Sequence, residues 1–286
     1  MELYLILGVT LIATIIATSF DIKYKYVPDL LNYFLIIFGI GANLILAIMS
    51  NSPKPIIYSL IGAAIFYGIG AAFYYTGVWG GGDAKLLTGY GATLATIPAV
   101  TAWPFLVTTF LNILTWGAVI GIFGTCYLAL KHYKKFTKEM RILLSKFKLV
   151  IISLYILLVI VVLLFIMTET LAAPLLWGTI VILFYLFLSL KAVENCCMFR
   201  KLKPSELQEG DWFTEPVTVK GSVVYEPERS GLSRSELQKL RKLEAQGKLK
   251  TVTIKDGIQY VPAFLLALIT SMLGIDLMFY IFSLLL

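Results

Sequence analysis

Long apolar stretches separated by short polar segments dominate the pattern of this chain. A helix needs about 20 mostly apolar residues to cross a bilayer. By that measure the sequence predicts about eight transmembrane helices, at approximately 2–20, 31–49, 56–76, 86–103, 105–130, 149–167, 173–190 and 263–286. The fourth and fifth stretches meet at Trp103-Pro104, where the proline favours a tight turn over one long helix. If one such pair is merged or re-entrant the number falls, so the predicted fold class is an all-α polytopic membrane protein with about six to eight spans.

Residues 191–262 form the one sizeable polar section of the sequence. Ser233 and Glu236 have the spacing of a capping box, which predicts a helix that ends near Gly247. After that helix, apolar and polar residues alternate across Asp256-Gly257, a dipeptide typical of hairpin turns. The section is therefore expected to be a small α+β insert between the last two apolar stretches.

The composition strengthens the membrane assignment and weakens one other class. Of the 286 residues, 59% are hydrophobic and only 14% are charged, whereas about 25% of a soluble domain is charged. The net charge of +7 could suggest a nucleic-acid partner. Much of the positive charge, however, lies between the apolar stretches, where it would orient helices and meet anionic lipid headgroups. Membrane lipids are thus the expected partners of these residues, and nucleic acid is not.

The basic segments also predict an orientation. Segment 131–148 carries seven lysines and arginines, and such clusters stay on the cytoplasmic side. Counting crossings outward from it places 21–30, 77–85 and 191–262 on that same side. The chain is therefore expected to be a multi-pass protein of the cell membrane whose first and third connecting loops both face the cytoplasm.

Each of these two cytoplasmic loops carries an aspartate next to a helix end. Asp21 follows the first apolar stretch, and Asp83 precedes the fourth in the run G-G-G-D at 80–83. Two carboxylates held close together share a proton, so one can act as a general base while the other polarises a carbonyl group. Taken singly, Asp83 could be an ordinary N-cap and Asp21 a solvated boundary charge. Together, on one side of the membrane, they predict a catalytic acid pair.

The residues around the two aspartates have several candidate roles. Gly80, Gly81 and Gly82 are expected to let the backbone adopt positive φ and to let a substrate chain approach closely. A helix N-terminus at Asp83 would help to keep one carboxylate ionised. Lys23 and Lys85 each lie two positions after an aspartate; they could tune the pair, contact lipid headgroups or mark the cytoplasmic boundary.

A second block of sequence accompanies Asp21. Residues 21–29 read D-I-K-Y-K-Y-V-P-D and end in Asp29, which either caps the second helix or binds a basic leader peptide. The G-G-G-D run resembles the G-x-G-D motif of membrane aspartyl proteases, and the 21–29 block resembles the first-aspartate block of type IV prepilin peptidases and archaeal preflagellin peptidases. The resemblance covers roughly residues 1–130 in its motifs and extends more loosely to D-G-I-Q-Y-V-P-A-F at 256–264.

This resemblance implies a function. It makes Asp21 and Asp83 the catalytic pair of an aspartic endopeptidase that needs no metal or organic cofactor. The implied substrates are pilin-like or archaellin precursors, which carry a short basic leader and are cut at the cytoplasmic face. Bacterial members also carry paired C-x-x-C motifs associated with N-methylation; no such motif occurs among the three cysteines of this sequence, so cleavage without methylation is expected.

With this interpretation the chain divides into four expected parts. Residues 1–130 form a catalytic transmembrane bundle, 131–190 a basic cytoplasmic loop with two additional transmembrane helices, 191–262 the small cytoplasmic domain, and 263–286 the final transmembrane helix.

Two other functions remain open at this point. An intramembrane protease similar to presenilin or signal peptide peptidase would share G-x-G-D, and Pro262-Ala263-Phe264 faintly resembles its P-A-L motif. Those enzymes carry their aspartates within neighbouring spans, whereas here two spans separate them. An ion-coupled transporter could use Asp21, Asp83 and Asp276 as cation sites, but the paired repeats typical of transporters are not visible.

Overall fold

The computed structural model describes every residue except 1, 169, 209–210, 214, 220, 228–230, 256 and 286. The described residues form eleven α-helices: α1 (Glu2–Tyr24), α2 (Asp29–Met49), α3 (Lys54–Tyr75), α4 (Gly81–Leu94), α5 (Phe105–Lys131), α6 (Tyr133–Lys146), α7 (Lys148–Thr168), α8 (Ala172–Cys197), α9 (Arg234–Ala245), α10 (Val261–Met272) and α11 (Leu277–Leu285). They also form four short strands: β1 (Phe199–Leu202), β2 (Val217–Val219), β3 (Ser222–Tyr225) and β4 (Val252–Lys255).

The number of long apolar helices agrees with the predicted fold class. Among the described residues, α1, α2, α3, α5, α7 and α8 are each long and apolar enough to cross a membrane, and α10 with α11 would form a seventh span if counted together. The protein is therefore a helical membrane protein with a small strand-containing insert, as predicted.

Two of the eight predicted stretches differ from the helices that form. The stretch 86–103 is not a full-length span, because α4 has only 14 residues and ends at Leu94. Pro98 lies shortly after it, and a proline disfavours helical backbone in the residue that precedes it. The final stretch, 263–286, is two helices bent by 74° between α10 and α11. Gly274 ends the first of them with a φ of 72°, a conformation that glycine adopts without strain.

The chain divides into two compact units. The first contains the chain up to Gly121 and the segment from Ile258 onward, and the second contains most of the residues between them. In the first unit α4 lies against both α2 and α3, and α1 lies against α10. Its core is built from buried side chains of α1, α2, α4, α5 and α10, including Ile6, Leu35, Tyr90 and Phe264.

Small residues set the position of α4 in the first unit. A β-carbon on Gly91 of α4 would collide with the backbone of Gly62 on α3, and the reverse is also true. One on Gly70 of α3 would lie 2.9 Å from the carbonyl oxygen of Ala84. Because side chains are missing at these points, the two helices approach closely near both ends of α4.

The second unit combines α6, α7 and α8 with the polar insert. Leu143 of α6 packs against Leu188 and Ala192 of α8. In the insert, β1 pairs antiparallel with β4, and β2 pairs antiparallel with β3. Helix α9 begins directly after Ser233, and Gly247 (φ 67°) follows its end; both features were predicted.

Among the described residues, β4 does not form the predicted hairpin with the residues that follow Asp256-Gly257. Strand β4 pairs with β1, 50 to 56 residues earlier in the chain, in the register Phe199 with Lys255 and Leu202 with Val252. The residues at 258–260 are not in a strand and lead into α10. Asp256 itself lies outside the described residues. The alternating pattern therefore predicted the strand β4 correctly, but it did not predict which strand β4 pairs with.

Candidate active site

Asp21 is buried in the last turn of α1, with 7% of its surface exposed. The buried residues of this helix recur at spacings of three and four, at Ile6, Thr10, Ala13, Thr14, Ala17, Thr18 and Asp21. Such spacing forms one face of an α-helix. Two of the three threonine hydroxyls on this face bond back to the helix: those of Thr10 and Thr14 donate to the carbonyl oxygens four residues earlier, at 2.7 Å each. The helix therefore presents Asp21 to the interior of the bundle.

The start of α10 meets Asp21. The backbone N–H of Val261 donates to Oδ2 of Asp21 at 3.2 Å. The side-chain nitrogen of Gln259 donates to the backbone oxygens of Asp21 and Ile22, each at 3.0 Å. Three hydrogen bonds from residues 259–261 thus fix both the carboxylate of Asp21 and the helix end that carries it.

Asp83 lies in the first turn of α4 and is partly exposed. Its Oδ2 accepts a hydrogen bond from the backbone N–H of Gly80 at 3.0 Å, so the side chain does help to cap the helix. Burial, and after it the charge of Asp21, raise the pKa of Asp83 to about 7. The structure therefore places the two sequence-predicted aspartates near enough for their charges to interact.

The three glycines before Asp83 do not use positive φ, which corrects that prediction. Among residues 77–83 the left-handed conformation occurs at Gly77 (φ 74°), and Gly80 is extended, with a φ of −76°. A β-carbon on Gly82 would lie 3.2 Å from that of Val27, and one on Gly81 would make only ordinary contact with Tyr74 at 3.6 Å. The absent side chain at Gly82 thus lets Val27 pack closely; whether the glycines admit a substrate chain stays a prediction.

Lys85 and Asp29 form an ion pair with each other. Their Nζ and Oδ1 atoms lie 2.7 Å apart, and both side chains are more than one-third exposed. Asp29 is the first residue of α2, after Pro28, where a negative charge is favoured by the helix dipole. Lys23 points away to the ring of Tyr24, with its Nζ 4.9 Å from the ring centroid. Of Lys23, Asp29 and Lys85, the last two are therefore paired with each other, and their ion pair joins the starts of α2 and α4.

Aromatic residues also contact the site, and they were not predicted from the sequence. The ring centroid of Trp79, just before the glycines, lies 5.2 Å from that of Tyr260. The hydroxyl of Tyr260 donates to the backbone oxygen of Ile113 at 3.3 Å, and burial raises the pKa of Tyr260 to about 12, so this phenol stays neutral. The hydroxyl of Tyr90 donates to the backbone oxygen of Phe264 at 3.2 Å. These contacts connect the α4 loop with the segment that binds Asp21.

Asp276 does not join the pair. It lies beyond the far end of α10, where its Oδ1 accepts a hydrogen bond from the backbone N–H of Phe279 at 3.0 Å and begins α11. Within the described part of the chain, no three histidine, cysteine, aspartate or glutamate side chains come together as metal ligands would.

Comparisons with known proteins match the region that carries both aspartates. Residues 8–124 match the sequence model of the type IV leader peptidase family. Over 102 residues the chain is 31% identical to a prepilin peptidase, EppA, of Methanothermobacter thermautotrophicus, covering 36% of this chain and 26% of that protein. Over 83 residues it is 33% identical to a preflagellin peptidase of Methanocaldococcus jannaschii, covering 29% of this chain and 35% of that one.

The matched parts thus amount to between about a quarter and a third of each curated relative. No solved structure matches the chain significantly. The family match nevertheless contains Asp21, the glycine run and Asp83 in one continuous segment. Residues 8–124 of this chain are therefore similar to the type IV leader peptidase family.

Proposed function

We propose that this protein is an aspartic endopeptidase that removes the short basic leader from type IV pilin-like or archaellin precursors. The observation that carries the proposal is the position of Asp21 at the end of α1 and of Asp83 at the start of α4, near enough for their charges to interact, within the region that matches the family. The names of the two relatives, a prepilin and a preflagellin peptidase, support this substrate class.

The chemistry requires the two carboxyl groups to share one proton. The ionised group takes a proton from a water molecule, whose oxygen attacks the carbonyl carbon of the scissile peptide. The protonated group donates to the carbonyl oxygen, and a tetrahedral diol forms. When the carbon–nitrogen bond breaks, the first carboxyl group gives its proton to the leaving amine, and the second carboxylate takes back a proton from a diol hydroxyl as the new carboxyl group forms. The partial exposure of Asp83 supports this scheme, because water can reach the pair from its side.

The cut is proposed to occur at the cytoplasmic face of the cell membrane. The loops that carry Asp21 and Asp83 precede and follow the same pair of helices, α2 and α3, so they lie on one side. The basic segment 131–148 favours the cytoplasm for that side. Because the sequence has no C-x-x-C motif, the product is expected to keep an unmethylated amino terminus.

An intramembrane protease is the second candidate, and one observation favours it. Pro262, Ala263 and Phe264 lie in the first turn of α10, directly after the N–H that binds Asp21. The P-A-L-like run is thus next to a catalytic aspartate. The two candidates differ in the bond they cut: a leader peptidase cuts before the hydrophobic helix of its substrate, and an intramembrane protease cuts within it.

A cleavage assay tests the proposal. Membranes with the wild type, Asp21→Asn, Asp83→Asn or Asp276→Asn are mixed with a precursor that has a basic leader before a hydrophobic helix. We expect the wild type and the Asp276→Asn control to release the leader, and the other two variants to leave the precursor intact. Mass spectrometry of the product locates the cut. Full activity in either site variant would overturn the proposal, and a cut within the hydrophobic helix would favour the second candidate.

A further inference from the structure

The side chain of Gln259 closes the end of α1, the helix that carries Asp21. The last carbonyl groups of an α-helix have no partner within the helix. Here the backbone oxygen of Asp21 accepts the N–H of Lys25 at 2.8 Å, and Lys25 has a φ of 59°. The Gln259 amide adds a second donor to that oxygen and supplies one to Ile22, each at 3.0 Å. A residue more than 230 positions away thus acts as the cap of α1.

The same segment also holds the carboxylate of Asp21. Two residues after Gln259, the N–H of Val261 donates to Oδ2 of Asp21 at 3.2 Å. The amide of Gln259 therefore fixes the backbone of the aspartate while the start of α10 fixes its side chain. A shift of this segment would move both at once.

The segment is itself anchored to the loop that leads to Asp83. The ring of Tyr260 packs on Trp79, with centroids 5.2 Å apart, and its hydroxyl donates to the backbone oxygen of Ile113 at 3.3 Å. Trp79 is almost fully buried and directly precedes Gly80, whose N–H binds Asp83. Residues 259–261 thus contact the supports of both aspartates.

We infer that Gln259 is a positioning residue that holds the end of α1 against the start of α10 and so keeps Asp21 in its place opposite Asp83. This inference rests on the proposed function, because its importance depends on the two aspartates being the catalytic pair. Small displacements of catalytic groups are costly: a misplacement of about 1 Å can lower a rate by about a hundredfold.

Substitution by methionine tests the inference, since Gln259→Met keeps the length of the side chain and removes its donors. We expect kcat to fall by about tenfold to a hundredfold with little change in KM, and the pH profile of kcat to change shape. The matched control is Gln246→Met, at an exposed position just after α9, which should behave like the wild type. A well-inserted Gln259→Met protein with the kcat and pH profile of the wild type would overturn the inference.

If the Gln259→Met protein does not insert into the membrane, a second variant tests the positioning role of Gln259. Glu at position 259 has a donor only when its carboxyl group is protonated. The activity of Gln259→Glu, divided by that of the wild type, should therefore rise as the pH falls, and a ratio independent of pH would contradict the inference. Asp21→Asn and Asp83→Asn are assayed alongside. If these two are inactive while Gln259 variants are normal, only the positioning role fails; if they are active, the proposed function fails.

Discussion

Gly62 on α3 and Gly91 on α4 lie backbone to backbone, so that a side chain on either would collide with the other. This contact sets the distance between the two helices near the C-terminal end of α4. Because Asp83 lies at the start of α4, the contact also helps to set the position of one of the two proposed catalytic aspartates.

Enlarging this contact should therefore impair the enzyme. We expect Gly91→Ala to destabilise the fold by about 1–3 kcal/mol, the usual cost of overpacking, and to lower cleavage by displacing α4. Thermal unfolding in detergent and the precursor assay measure the two effects. Gly68→Ala on α3 is the control, since nothing lies within 4 Å of the added carbon. Equal stability of the Gly91 and Gly68 variants would contradict the packing argument.

The two aspartates should act as a unit. Because removing either group stops the shared-proton mechanism, we expect Asp21→Asn and Asp83→Asn each to lower kcat by about a thousandfold or more, and the double variant to be little worse. Additive losses, measured in single-turnover cleavage, would show that the two residues act independently.

The pH dependence follows from the same arrangement. At low pH both carboxyl groups are protonated and no base remains; at high pH both are ionised and no acid remains. We expect a bell-shaped profile of kcat/KM whose two apparent pKa values belong to the pair rather than to one residue. A profile with a single limb would argue against a shared proton.

The ion pair between Lys85 and Asp29 provides a test of leader recognition. Both side chains are more than one-third exposed, so the pair itself should contribute only about 0–1 kcal/mol to stability. If Asp29 binds the basic leader, Asp29→Asn should raise KM with little change in kcat, whereas Lys85→Met, which frees Asp29, should not raise it. The two variants are compared on precursors with basic and with neutral leaders. A rise in KM that is the same for both leaders would remove Asp29 from leader binding.

The hydroxyl of Tyr90 links three helices of the first unit. It donates to the backbone oxygen of Phe264 on α10 at 3.2 Å and lies 2.9 Å from Oγ1 of Thr14 on α1. Tyr90→Phe leaves these buried partners short of one hydrogen bond, which should cost about 1–3 kcal/mol of unfolding free energy. Tyr58→Phe, at a side chain that is 52% exposed, is the control in the same thermal measurement. Indistinguishable melting of the two variants would contradict the role of the Tyr90 hydroxyl.

The sequence predicted that Asp21 and Asp83 lie on the same side of the bundle, because sidedness depends only on the order of apolar stretches; that they form a catalytic pair stays a prediction. It did not predict the lengths of α4 and α10, because hydrophobicity does not reveal where a helix ends. Pro98 shortly after α4, and Gly274 with Asp276 after α10, are the local signals that end these helices. Such signals are found when residues that end helices, such as proline and glycine, are considered together with the number of apolar residues in a stretch.

The contacts of Gln259 could not be predicted from the sequence. Its bonds to Asp21 and Ile22 join positions more than 230 residues apart, and a glutamine near a helix start has no spacing rule that predicts such a partner. The pairing of β4 with β1 failed to be predicted for the same reason. In both cases the local pattern was correct and the distant partner was set by the packing of the whole unit.

Helices α4 and α10, which both begin beside the aspartates, have 14 and 12 residues. At 1.5 Å per residue they are about 21 Å and 18 Å long, against a hydrocarbon core of about 30 Å. Residues Leu86–Leu94 of α4 are all buried, so neighbouring helices rather than lipid surround this short helix, and it need not match the thickness of the bilayer. The depth at which Asp83 lies is therefore set by the packing of α4 against α2 and α3 and not by the lipid.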